Sequence, residues 1–136
     1  MEKKEPYATH EEYSEYVIRY KDIPPIELIP GSQIRIAPAK NMMLVFGGAK
    51  ENSYQPPHRH KENEQVVVIL DGSLDFIIEG KLYHVEKGDV VVLPPNTEHG
   101  AYVTGKEYRG IDIFSPPRQD FLVKLEEAKK SQKKDI

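Results

Sequence analysis

The chain has no cysteine among its 136 residues, so no disulfide can staple it, and any bound metal must be held by nitrogen and oxygen donors. It also lacks any apolar run approaching the length of a membrane span. The N-terminus, MEKKEPYATHEEY, is charged and has no apolar core of the kind that marks a secretory signal. Excess basic charge is missing too. The net charge is −3 with both signs interspersed, which gives no field for nucleic acid and no polybasic patch for a membrane surface. There is no internal repeat. A hydrophobic content of 38% beside 30% charged residues describes one soluble globular domain, and these absences together lead to the expectation of a cytoplasmic protein.

What is present reads as all-β. The run Val66 to Leu70, the turn Asp71-Gly72 and the run Leu74 to Glu79 form a hairpin pattern. Gly80 turns into Lys81 to Val85, and Lys87-Gly88-Asp89 turns into Val90 to Leu93. Further strands are expected at Ile34 to Ala37, Met42 to Phe46, Glu98 to Val103 and Tyr108 to Phe114. Short strands at this spacing indicate a sandwich or barrel. Pro-Pro pairs at 24–25, 56–57, 94–95 and 116–117 are each expected to mark a strand end, because proline cannot donate to a ladder. Helical patterning is confined to the ends, with Thr9 and Glu12 as a capping box and Asp120 to Lys130 as a short helix. The tail KKSQKKDI reads as frayed and solvated. The expected organisation is an arm and first strand over 1–29, a barrel over 30–117, and a C-terminal helix with a lysine-rich tail over 118–136.

One polar cluster interrupts this pattern. The segment QPPHRHKENEQ puts His58, His60, Glu64 and Gln65 just ahead of an apolar strand. Two histidines one residue apart on extended chain point to the same side, as a strand would present two imidazoles to one metal.

His58-x-His60, four residues, Gln65, six residues and Gly72 resemble the first motif of the cupin superfamily, G-x5-H-x-H-x3,4-E-x6-G. Gly88, five residues, Pro94-Pro95-Asn96, two residues and His99 resemble the second, G-x5-P-x-G-x2-H-x3-N. The stretch Ser73 to Lys87 fits the short gap of small single-domain cupins. Asn52 and Asn96 stand where the motifs have glycine, and Val103 where the second has Asn. Asn tolerates the left-handed backbone nearly as well as glycine, so those two exchanges are mild. The resemblance covers roughly residues 30 to 120. It implies a double-stranded β-helix, or jelly-roll barrel, holding a divalent transition metal through His58, His60, Gln65 and His99. Nickel, zinc, manganese or iron would suit such a site, and copper is also compatible. The usual carboxylate ligand position falls on Gln65 by the count back from Gly72 and by strand alternation, with Glu64 as the alternative.

Among small cupins, a Glu-Gln pair here is similar to the pectin-degradation type, which ketonises unsaturated monouronates. Three neutral imidazoles and an amide leave the charge of a divalent cation uncancelled, which favours an anionic ligand and stabilises a trivalent iron less. Asp112, Phe114 and Arg118 resemble the catalytic triplet of those enzymes, with Asp112 as acid/base, Phe114 packing the sugar ring and Arg118 binding the carboxylate. If Ile111 and Ile113 face the packed side, Asp112 and Phe114 face the other, for which the barrel interior with its metal is the natural place. Asp112 bracing a ligand histidine and Arg118 pairing with Asp120 or Glu126 stay open. So do a small dioxygenase or metal-dependent lyase, and a non-catalytic cupin that binds a small anion. His84 and His10 read as surface histidines. The tyrosines of the arm suggest an extended arm packing on a second subunit, as the resemblance to cupins implies, hence a homodimer; packing of the arm on its own barrel stays open.

Overall fold

The computed structural model describes residues 1–134. In chain order the elements are α1 (His10–Tyr16), β1 (Ile26–Ile29), β2 (Ser32–Pro38), β3 (Met43–Ala49), β4 (Tyr54–His58), β5 (Glu64–Asp71), β6 (Ser73–Ile78), β7 (Lys81–Glu86), β8 (Val90–Leu93), β9 (His99–Val103), β10 (Tyr108–Ser115) and α2 (Gln119–Lys134). The strands form two antiparallel sheets, one ordered β1-β2-β3-β10-β5-β8 and one ordered β4-β9-β6-β7. This is the expected jelly-roll barrel: the pairs β3–β10, β10–β5, β5–β8, β4–β9 and β9–β6 join strands distant in sequence, and both sheets turn an apolar face inward. No helix among the described residues is long and apolar enough to cross a membrane.

Strand alternation decides which side chains fill the barrel. β5 buries Gln65, Val67 and Ile69 and leaves Glu64 and Leu70 exposed, the period-2 pattern of a half-buried strand. Val67 and Ile69 pack with Leu74 and Phe76 of β6, Val91 and Leu93 of β8, and Ala101 and Val103 of β9. A second cluster joins Ile34 and Ile36 of β2, Met43 and Val45 of β3, and Phe114 of β10 to Phe121 and Leu125 of α2. Those two helix residues sit four apart, so they share one face and close that side of the barrel. The site lies between the two apolar clusters.

Three sequence expectations need correction. Pro56 and Pro57 lie inside β4 rather than beyond a strand end. β4 is the edge strand of its sheet, and its register against β9 slips between Gln55 and His58, so no ladder donor is missed there. The helix α2 runs through Lys134, and most of the tail read as frayed is helical; the final Asp135 and Ile136 lie outside the described residues. Ile111 and Ile113 lie half-buried on the outer sheet face rather than on a packed side, while Asp112 and Phe114 point toward the interior as expected. β1 is a short and mostly exposed strand, Ile-Glu-Leu-Ile.

Other local expectations hold. Thr9 caps α1 in a reciprocal capping box with Glu12. Asn52 and Asn96 take the left-handed conformation, with φ of 67° and 65°, where the motif has glycine.

Candidate metal centre

His58 and His99 sit directly opposite each other across the β4–β9 pair, with ring centroids 4.4 Å apart. His60, two residues on, lies 5.0 Å from His58 and 5.3 Å from His99 by the same measure. One ring nitrogen from each of the three falls within 4.8 Å of the others, the arrangement needed to share one ion. The close approach of β4 to β9 depends on Gly100. A Cβ there would stand 2.5 Å from the Gln55 carbonyl oxygen and 2.8 Å from the Pro57 nitrogen. A second device fixes the His60 loop. The Asn96 N–H donates to the His60 carbonyl at 2.7 Å, while Arg59 donates to the Asn96 carbonyl and pairs with Glu98, both at 3.1 Å. Sequence reasoning missed Gly100 and Arg59. The available signal was their position, each beside a motif histidine.

Tautomers follow from the backbone. His58 Nδ1 lies 3.0 Å from the Pro56 carbonyl and His99 Nδ1 lies 2.9 Å from the Thr97 carbonyl. A carbonyl can only accept, so both Nδ1 atoms carry the proton and both Nε2 atoms present a lone pair. His99 Nε2 is buried without a partner. Burial is the main cause that lowers the pKa of both His60, to about 4, and His99, with the positive charge of Arg118 adding to it. His60 and His99 are therefore neutral at pH 7, as ligation requires.

Gln65 points inward and is buried, whereas Glu64 is exposed on the opposite face of β5. Gln65 Nε2 donates to Asp112 Oδ1 at 3.3 Å, and Gln65 Oε1 is left buried with no partner. Two orphaned acceptors, on Gln65 and His99, are what a metal site looks like without its cation, since buried polar atoms are otherwise satisfied. The donor set fits a divalent transition metal.

The three residues of the expected catalytic triplet fare differently. Asp112 faces the interior opposite Val67 and Val45, and burial pushes its carboxyl up to about 6, with the Gln65 hydrogen bond and Arg118 pulling it back down. Phe114 is 2% exposed, its ring edge-on to His60 at 5.6 Å and to Phe121 at 6.0 Å. It is a floor beneath the histidines, and its ring is covered by protein rather than open to stack on a sugar. Arg118 stacks on Phe121 with its guanidinium carbon 3.7 Å from the ring centroid. Its Nε and Nη2 donate to the two oxygens of Asp120 at 3.1 and 2.6 Å. The fork that would clamp a carboxylate already holds one. His84 is exposed, with Nδ1 2.7 Å from Asp75.

Residues 48–114 match the cupin domain family model. The chain is also 30% identical over 82 residues to the pectin degradation protein KdgF of Dickeya dadantii, covering 60% of this chain and 74% of that protein. It belongs to the cupin family. This cupin is 25% identical over 115 residues to the H2HPP isomerase of Bacillus subtilis; the match takes in 84% of the chain and 47% of that relative, so the chain spans about half its length. The solved structure of KdgF from Halomonas sp. superposes with a TM-score of 0.70 at 28% identity, covering 76% of this chain and 94% of that one. The cupin is thus of the small, pectin-degradation type in sequence and fold.

Proposed function

We propose that this cupin binds one divalent transition metal through His58, His60, Gln65 and His99 and isomerises a small unsaturated uronate, or a similar carboxylated sugar, by ring opening and ketonisation. The observation that carries this reading is the Gln65–Asp112 pair, which sets an ionisable carboxyl beside an amide whose oxygen is unpartnered. The names of two relatives, a pectin degradation protein and an isomerase, agree with it.

When bound, a divalent metal supplies Lewis acidity toward a ring or hydroxyl oxygen of the substrate. The protein's own groups do the rest. Ketonisation takes a proton from an enol oxygen and adds one to the neighbouring carbon, and Asp112 is suited to carry it. A carboxyl poised near pH 6 both accepts and returns a proton at neutrality, where an ordinary aspartate would hold on to too little. With a divalent cation bound, the neutral donor set would leave its positive charge uncancelled, so an anionic substrate is favoured over a neutral one. A substrate carboxylate reaches Arg118 by displacing Asp120, a like-for-like exchange of one bidentate partner for another.

The test is a panel of 4,5-unsaturated monouronates followed by loss of their ultraviolet absorbance. Wild type should consume at least one of them. Asp112→Ala should retain metal and lose turnover. Metal-loaded wild-type protein that is inert across the panel would remove the substrate assignment.

A further inference from the structure

Tyr108 stands on the same face of β10 as Asp112. Against β3 the strand keeps an unbroken register from Tyr108 to Phe114, so Tyr108, Gly110, Asp112 and Phe114 all turn inward. The Tyr108 ring packs against the cluster that holds Val67, Ile69, Leu74 and Phe76, beside its cross-strand partner Ala49. It lies along the strand rather than standing out from it. A Cβ on Gly110 would run into the Tyr108 hydroxyl oxygen and stand 2.7 Å from the ring carbon that bears it. Gly110 is paired with Gly47 on β3, so neither strand raises a side chain where the ring lies. Against β5 the register slips between Arg109 and Gly110, an irregularity of the kind that re-aims side chains. The phenol thus occupies the space of two missing side chains and carries its hydroxyl one inward position toward Asp112.

Both groups are short of partners. Asp112 receives one hydrogen bond, from Gln65 Nε2 to Oδ1 at a long 3.3 Å, and among the described residues it joins no ion pair. A carboxylate turned into a barrel needs more than one donor to offset its lost hydration. Among the described residues the part-buried side-chain hydrogen bonds are those of Ser32, Arg35, Gln65 and His99, and the Tyr108 hydroxyl has none. Burial, with the charge of Asp112 adding to it, pushes that hydroxyl up, so it keeps its proton to donate. The step from the Gly110 position to Asp112 is about 6.6 Å of strand. A carboxyl side chain and one bridging water close such a gap.

We propose that Tyr108 is a positioning residue of the metal centre, its hydroxyl donating, directly or through one water, to the Asp112 oxygen that Gln65 leaves free. The chain Tyr108–Asp112–Gln65 then holds the ligand amide from behind. With a donor on each oxygen the carboxylate cannot turn, and the amide that bonds to it keeps its NH₂ end toward Asp112 and its oxygen free for a cation. Tyr108 touches neither metal nor substrate in this role and acts only through Asp112. The inference rests on the reading of Gln65 as a metal ligand.

Competition for nickel(II) with a metallochromic chelator tests this on the full chain. Tyr108→Phe keeps the packed ring and should keep the wild-type circular dichroism. It should bind nickel about three- to tenfold more weakly, less than the loss expected for a group bonded to the ligand itself. Asp112→Ala should also weaken the affinity. The double variant Tyr108→Phe, Asp112→Ala should bind no more weakly than Asp112→Ala alone, because the hydroxyl has nothing left to act through. A merely structural role for the hydroxyl would instead make the two losses add, and additivity overturns the proposal. Unchanged affinity in Tyr108→Phe overturns it as well. The two failures are separable: a wild type that takes up no nickel removes the ligand reading and this inference with it, whereas nickel-loaded wild type matched by Tyr108→Phe removes the inference alone.

Discussion

Gln65 turns its amide nitrogen to Asp112 and its carbonyl oxygen to nothing. That one bond orients the amide, because a carboxylate accepts only from the NH₂ end and so leaves the buried oxygen without a partner. The same bond stabilises the charged form of Asp112 against the burial that opposes it. Ligand orientation and proton affinity are therefore coupled through a single contact, and several outcomes follow from it.

Protein purified without a histidine tag should carry close to one equivalent of a first-row divalent metal per chain by elemental analysis. A His58→Ala, His60→Ala double variant should carry none, since two of the three converging nitrogens are gone. Unchanged metal in that variant would eliminate the site.

Gln65→Ala should weaken metal affinity by at least the ~10–100-fold typical of losing a supporting residue around a metal. Glu64→Ala should leave affinity unchanged, because Glu64 is exposed on the other face of β5. Competition with a metallochromic chelator measures both. Equal losses would show that strand parity does not govern ligation.

Asp112→Asn should raise the melting temperature of metal-stripped protein at pH 7 to 8. The folded-state pKa is raised, from 3.8 to about 6, so the folded state binds this proton more tightly than the unfolded chain does. Ionised Asp112 thus opposes folding above about pH 6 and has no effect below 3.8. The two proteins should converge as pH falls to about 4. His60 works in the opposite sense. Its pKa is lowered from 6.5 to about 4, so its stabilising contribution is complete above 6.5 and is lost as pH falls toward 4. With Asp112 no longer offsetting it, acid destabilisation should be steeper in the Asn variant. Thermal melts across pH 4 to 8 in chelator decide this.

Arg118→Ala and Asp120→Asn should move KM in opposite directions on any uronate that is turned over. Removing the guanidinium removes the carboxylate partner, whereas removing the Asp120 charge frees the fork that it now fills. The Ala variant should also melt lower, because the guanidinium packs on Phe121. A lowered KM in Arg118→Ala would contradict a clamp.

Phe114→Ala should cost ~3–5 kcal/mol of stability, the range for truncating a buried phenylalanine. Its ring fills the cluster with Met43, Val45, Phe121 and Leu125. Chemical denaturation measures it. A variant with native stability and a large loss in substrate binding would restore the ring to a sugar-contacting role.

The sequence by itself determined whatever depends on period and local backbone. Two-residue alternation put Gln65 inside and Glu64 outside, and it put Asp112 and Phe114 on one face of β10, because a strand leaves its side chains no other choice. Asn52 and Asn96 announced the left-handed turns that flank the histidines. What only the tertiary structure decided is who occupies whom. Edge position, invisible in a single strand, is what admits Pro56-Pro57 into β4. Packing of α2 against the barrel is what buries Phe114 beneath His60 and hands the Arg118 fork to Asp120. These are contacts between segments far apart in the chain or competing for one partner. Their outcome rests on packed volume and on which charge lies nearest, and neither quantity is carried by residue spacing.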